Sequence, residues 1–249
     1  MNEPIIKSLE ELGIFSPWLN VSGFLGYLPP ARIDFPAGMG AFLPPPLSLA
    51  PRNPASDRIA LPFCGGMLLH TGMPNPGMSA AVRQYGQRWN RLSIPVWPSL
   101  MPNNADEARL LSEMVDDLEC AVTYQIAFPR GAELSERAAI LAAARGEKPF
   151  FVELPLDEVN RESLAMLRES EACGLVLSAP LGRLPQENRW VEGRLYGPAL
   201  FPQMVSAVEQ VRASQLLVIA GCGVSSLAEG ELLLDLGVAA VQFDVMLWS

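Results

Sequence analysis

The stretch that most restricts the possible folds of this chain is its last, Leu216 to Trp248, which reads LLVIAGCGVSSLAEGELLLDLGVAAVQFDVMLW. An apolar run ends at Ala220, Gly221-Cys222-Gly223 follows, Ser225 and Ser226 lead into a segment of helical character, and Gly237 opens a second apolar run, Ala239 to Val245. That order is strand, turn, helix, strand. Parallel strands need a crossover of about a dozen residues, usually helical, and Ser225 or Ser226 is the natural N-cap for one. Strands buried on both faces read as unbroken apolar runs, as these do. A glycine turn feeding a helix N-terminus gathers backbone N–H groups at the positive end of a dipole and suits a phosphate, although the same glycines also serve a plain tight connection.

The same alternation runs back through the chain. It predicts strands over 94–100, 121–128, 149–154, 174–179, 216–220 and 239–245, and helices over 78–92, 105–118, 135–144, 157–172 and 198–213. A short helix over 3–12 stops at Gly13, and Trp18 to Tyr27 reads as a first strand ending in a glycine-lined loop. Gly40 to Leu43 is a further apolar piece before Pro44-Pro45-Pro46, which cannot continue a central strand. Leu47 to Pro62 reads as a surface excursion, Phe63 to Gly77 as a loop or short strand, and Pro76 as part of the first turn of the helix that follows. Leu181 to Leu195 shows no periodicity and is expected to be a loop over the sixth strand. Counting the pieces near Val21 and Ala41, eight strands in 249 residues favour an α/β (β/α)8 TIM barrel with reduced first and last helices, formed as a single domain over 1–249. An open doubly wound sheet is the alternative.

Composition narrows the function classes. The hydrophobic fraction of 49% supports a large core, yet no apolar run approaches the ~20 residues of a membrane helix. The start MNEPIIKSLEELG lacks the basic-then-apolar order of a signal peptide, so a soluble, cytoplasmic protein is expected. A net charge of -9 argues against nucleic acid, whose phosphates need clustered Lys and Arg. Four scattered cysteines and one histidine make a metal site unlikely on ligand supply, so none is expected.

Several stretches together resemble the dihydroorotate dehydrogenase family of FMN-dependent barrels: SGFLGY from Ser22, LSLAPRNPASDR from Leu47, TGMPNPG from Thr71, GRLYGPALFP from Gly193, and the closing IAGCGVSS with GVAAVQF. The resemblance implies FMN as cofactor, with its phosphate near Cys222, Gly223 and Val224 and its ring near Ser22 and Gly23. Substrate, a small molecule, is implied under Gly72, Met73, Pro74 and Asn75, with Gln125 alongside. Flavin-linked oxidation of a dihydropyrimidine is the implied activity.

Residue by residue, the chemistry departs from that pattern. Where the family carries a lysine at the end of the fifth strand to face the flavin, this chain has Glu153, which reverses the charge. The motif after the fourth strand is YQIAFPRG, and Phe128 stands where a proton-accepting Cys or Ser belongs. The family's asparagines fall at Leu69 and at Ser178 or Ala179, and the phosphate-donating Gly-Thr or Gly-Ser pair of the last strand is Asp244-Val245. Three readings stay open. One is a divergent flavoprotein; another is a binding or regulatory barrel that has lost FMN, as a homo-oligomer or beside an active relative; the third is a flavin-independent acid/base enzyme with Glu153 and Asp244 as its catalytic groups. Arg52, Arg58 and Arg130 are candidate partners for those acids, with exposure the commoner state. His70 reads as a hydrogen-bonded loop residue, Met67, Met73, Met78 and Trp97 as core, and Cys222 as a small residue permitting close packing.

Overall fold

The computed structural model describes residues 8–30, 38–214 and 216–244. Seven strands form one parallel sheet: β1 (Trp18–Asn20), β4 (Ser99–Leu100), β5 (Tyr124–Ala127), β6 (Phe150–Pro155), β7 (Gly174–Ser178), β10 (Leu217–Ala220) and β11 (Ala240–Phe243). Their order is β1-β11-β10-β7-β6-β5-β4. The sheet curls, and its two edges are linked by single parallel bridges, Leu19 to Ala41 and Phe42 to Val96. The segment predicted as the second strand therefore lies between the two edge strands but makes only isolated bridges. Pro44-Pro45-Pro46 supplies the reason, since three residues without N–H groups cannot extend a ladder. What is formed as regular structure is a mixed α/β fold with a seven-stranded curled sheet.

Side chains alternate across that sheet with period two. Leu19, Ala41, Leu43, Trp97, Phe151, Val176, Ile219 and Ala240 turn to the inside of the curl, where they form one buried cluster. Val152, Leu154, Leu175, Leu177, Val218, Ala220, Val241 and Phe243 turn to the helical layer and belong to a second. Burial on both faces explains the unbroken apolar runs in the sequence. Gly174 is set by the inner face: a Cβ there would lie 2.2 Å from the Phe151 ring and 2.6 Å from the Leu217 carbonyl oxygen.

The helices are α1 (Met78–Trp89), α2 (Ala105–Asp116), α3 (Leu134–Ala143), α4 (Arg161–Glu169), α5 (Phe201–Val211) and α6 (Leu227–Asp235). In α2 the buried residues Ala108, Leu111, Ser112 and Val115 follow helical spacing, and Asn104 caps it by accepting from the Glu107 amide. Asn160 and Ser163 close a reciprocal capping box on α4, which shortens the helix predicted over 157–172. Gly77 is the N-cap of α1, so Pro76 precedes the helix instead of lying in its first turn.

Two expectations fail at a four-stranded antiparallel sheet ordered β2-β3-β9-β8, formed by β2 (Ile59–Phe63), β3 (Gly66–His70), β8 (Leu181–Gln186) and β9 (Arg189–Tyr196). The expected loop over 181–195 is a hairpin, and the end of the expected surface excursion is a strand. One face of an antiparallel sheet is open to water, so Gly, Pro and charge interrupt the hairpin run, and Pro and charge crowd the run that leads into β2. The N-terminal helix is seen as a 3-10 turn at Leu9–Leu12, closed by Gly13 in the left-handed region. Residues 3–7 of that predicted helix, most of the segment expected to lack a full first helix, and Val245 with the loop after the last strand lie outside the described residues. No helix among the described residues is long and apolar enough to cross a membrane.

Candidate functional site

The C-terminal ends of parallel strands gather whatever inward-facing residues come last on each strand, which is where barrel proteins place their chemistry. Several inward positions there are polar. Ser99 on β4, Gln125 on β5 and Glu153 on β6 stand side by side, because Ser99 pairs in register with Gln125 and Ala127 with Glu153. Two residues earlier on β6, Phe151 packs against Trp97, ring centroids 4.6 Å apart, and forms an aromatic floor one layer below.

Gln125 is the hub. Its Nε2 donates to Glu153 Oε2 at 3.1 Å and to Ser99 Oγ at 3.4 Å, and its Oε1 accepts from Gln242 Nε2 at 3.3 Å. Gln125 and Gln242 are each 2% exposed. Across the top comes Arg194 from β9: its guanidinium lies 3.3 Å from Glu153 Oε1, and it donates to the Ala179 carbonyl at 2.9 Å and to Ser178 Oγ at 3.4 Å. The side chains of Arg194 and Glu153 are 19% and 13% exposed. Burial works against the Arg194 charge, but the surrounding acidic groups, Glu153 first among them, together outweigh it and hold its pKa above the ordinary value. The pair is therefore a fixed ion pair, and transfer of a proton through Glu153 would first require breaking it.

Asp244 directly follows β11. It is wholly buried, and its Oδ2 accepts from the Gly223 amide at 3.2 Å. Beside it, burial first and the Asp244 carboxylate second push the Cys222 thiol well above its usual range, so no reactive thiolate forms there. Tyr196 is pushed up by burial, with Arg194 opposing and Glu153 adding to the rise. Glu153 and Gln125 thus meet directly, while Asp244 acts together with Glu153 and Arg194 on the electrostatics of Cys222 and Tyr196.

The other residues singled out in the sequence have internal partners. Ser22 donates to the Pro44 carbonyl at 2.6 Å, and Gly23 faces Pro45 and Pro46, with a Cβ built there 3.7 and 3.6 Å from them. Val224 and Cys222 are wholly buried. Asn75 staples its own loop: its Oδ1 accepts from the amides of Ser48 and Gly77 and from Ser48 Oγ, and its Nδ2 donates to the Met73 carbonyl. Met73 has φ 50 and Gly72 φ 75, and a Cβ at Gly72 would sit 2.6 Å from the Ala55 amide. Pro74 lies in the same turn. His70 is hydrogen-bonded as expected, through Nδ1 to the Glu192 carbonyl at 2.8 Å, but it ends strand β3 and is not a loop residue. Arg52, Arg58 and Arg130 are exposed, and Arg130 pairs with Glu192. Phe128 lies under the Arg137 guanidinium at 5.2 Å, away from Glu153's partners.

Sequence reasoning missed Arg194, Gln242 and Ser99. Gln242 left a signal, an amide in the middle of the apolar run AAVQF. Arg194 left none, because its role depends on a hairpin that the sequence did not reveal. Two surface clefts, of about 380 and 140 Å³, lie against α5, and neither is lined by Glu153, Gln125 or Asp244. No group of three or more His, Cys, Asp or Glu among the described residues could hold a metal ion.

A flavin nucleotide needs a phosphate nest, a flat slot and a cation facing the ring. At the glycine turn the Gly223 amide is already used, and a phosphate beside the Asp244 carboxylate would meet repulsion of about 4 kcal/mol per unit charge at about 4 Å and an effective dielectric near 20. The Glu153 position carries a paired anion. The residues present do not fit FMN.

The curled seven-stranded parallel sheet, with a polar, internally paired layer toward its strand ends, defines a mixed α/β protein of half-barrel form. Comparison with known proteins then gives the relationship. No family model matches the sequence. The chain is 28% identical over 238 residues to the catalytic subunit of dihydroorotate dehydrogenase B (NAD(+)) from Desulforudis audaxviator, covering 85% of this chain and 76% of that protein. It is 28% identical over 142 residues to a putative dihydroorotate dehydrogenase A (fumarate) from Aeropyrum pernix, covering 55% of this chain and 46% of that one. An IMP dehydrogenase/GMP reductase-like protein from Corynebacterium glutamicum superposes with a TM-score of 0.52 over 92% of this chain and 63% of that one, at 10% identity, which shows the fold alone. These matches support a dihydroorotate dehydrogenase-like relationship.

Proposed function

We propose that this chain is a dihydroorotate dehydrogenase-like barrel that carries out no flavin redox chemistry and acts as a binding or regulatory protein, on its own, with a second copy, or beside an active relative. One observation carries the reading: the strand-end layer is closed on itself, with Glu153 held by Arg194 and Gln125 where an electron-accepting ring would need a free cation. Reduction of a flavin leaves negative charge on the ring, and a paired carboxylate at that place stabilises none of it. The same ion pair argues against Glu153 as a general base, because its charge is already compensated. The proposal includes the complete eight-stranded barrel, with 41–43 as its remaining stave, and a single domain over the whole chain.

The test is to purify the full chain, record its visible spectrum, and assay dihydroorotate oxidation with NAD(+) and with fumarate as acceptors. The expected result is a colourless protein without the flavin band near ~450 nm and without turnover. A yellow preparation holding one FMN per chain, or measurable dihydroorotate oxidation, refutes it.

A further inference from the structure

A glycine turn that feeds a helix N-terminus is an anion cradle by its own electrostatics, since the free amides and the helix dipole point the same way. The turn from β10 to α6 has that form: Gly223 takes a left-handed φ of 79, and a nine-residue helix begins at Leu227. Its donors at Gly223 and Ser225 are already used. The Gly223 amide donates to Asp244 Oδ2 at 3.2 Å. The Ser225 amide and hydroxyl donate to Glu229 Oε2 at 2.7 and 2.8 Å, and the Glu229 amide donates to Ser226 Oγ at 3.2 Å. Two of those three acceptors are carboxylates of this same chain. The carboxylate at Gly223 is wholly buried and follows directly on β11. On the far side a Cβ at Gly223 would meet the Leu200 carbonyl carbon and the Phe201 amide nitrogen at 3.0 Å, so the turn cannot shift that way to admit a larger anion.

We propose that the anion cradle of this turn is filled by the protein's own side chains, Asp244 at Gly223 and Glu229 at Ser225, so that the barrel end takes no phosphate-bearing ligand. The two carboxylates supply the negative charge the turn attracts and are tethered, so a free phosphate must displace them against their local concentration and their repulsion. What such a turn recognises as a ligand elsewhere is built into the fold here. The inference does not rest on the absence of redox turnover. Inorganic phosphate carries no flavin, so its titration tests the turn independently of redox turnover, whereas a preparation holding FMN would overturn both readings.

The experiment follows the Gly223 and Ser225 amides by heteronuclear NMR on the full chain while inorganic phosphate replaces chloride at constant ionic strength, with thermal unfolding measured alongside. In the unsubstituted protein both amides are expected to stay unshifted and the unfolding temperature to be the same in the two salts. Asp244→Asn keeps size and removes charge, and phosphate affinity at the turn is then expected to rise by about tenfold or more. Glu229→Gln is expected to act in the same direction. Shifts of Gly223 or Ser225 with phosphate in the unsubstituted protein overturn the proposal, as does a folded Asp244→Asn protein that remains indifferent to phosphate. The unsubstituted titration decides the matter by itself if the variants do not fold.

Discussion

Replacing Arg194 by methionine tests whether the strand-end layer is held by a true buried ion pair. The guanidinium lies 3.3 Å from Glu153 Oε1 and makes two further bonds, to the Ala179 carbonyl and Ser178 Oγ. Methionine keeps much of the stem volume and removes the charge, which leaves Glu153 with Gln125 as its remaining donor in this network. Breaking a buried pair by removing one partner costs about 3–5 kcal/mol, and exposure of 19% and 13% for the two side chains brings the expectation just below that range, to about 2–3 kcal/mol. For a chain of this size that corresponds to a fall in unfolding temperature of roughly 4–12 °C. The assay is chemical denaturation of four proteins: the unsubstituted chain, Arg194→Met, Glu153→Gln and the double variant. The double variant is expected to recover much of the loss, because removing both charges removes both desolvation costs. A loss under about 0.5 kcal/mol for Arg194→Met, or strict additivity in the cycle, refutes the claim that the pair organises the mouth.

Lys148 donates from Nζ to the carbonyls of Val115, Asp116 and Leu118 at the end of α2, so Lys148→Met is expected to cost about 1–3 kcal/mol and to raise hydrogen exchange in that last turn before the rest of the fold; unchanged exchange there contradicts the cap. Burial pushes the Cys173 thiol up to about 12. A raised folded pKa means stability that is complete below the unfolded thiol value and is lost as pH rises toward the folded one, with a slope of up to about 1.4 kcal/mol per pH unit for the group. Denaturation curves from neutral pH upward should therefore show weakening above roughly pH 9, and Cys173→Ala should weaken less steeply, whereas parallel profiles would rule out this thiol as a contributor.

Much of the scaffold was legible because parallel strands advertise themselves. Each run from Phe150, Gly174, Leu217 and Ala240 is apolar on both faces, since an inner cluster and a helical layer both demand it. Ser225 or Ser226 marked a helix start, and Ser226 is the cap, for the reason that orphan amides need an acceptor. Glu153 and Asp244 were likewise visible as charges at strand ends. The antiparallel sheet was hidden, because Pro185, Arg183 and Gly193 break the alternation on a layer that does not need burial on both faces.

The sequence by itself determined the order of the parallel strands and their helices and the presence of Glu153 where a cation was implied. Those are local matters of period, capping and residue type. Only the tertiary structure decided what the inward charges meet. Arg194 reaches Glu153 across 41 positions of chain, by the numbering, through a hairpin whose register no local pattern announces. Asp244 finds the Gly223 amide because β11 lies beside β10. An ionised group is defined by its partner, and partners are set by the closure of the sheet.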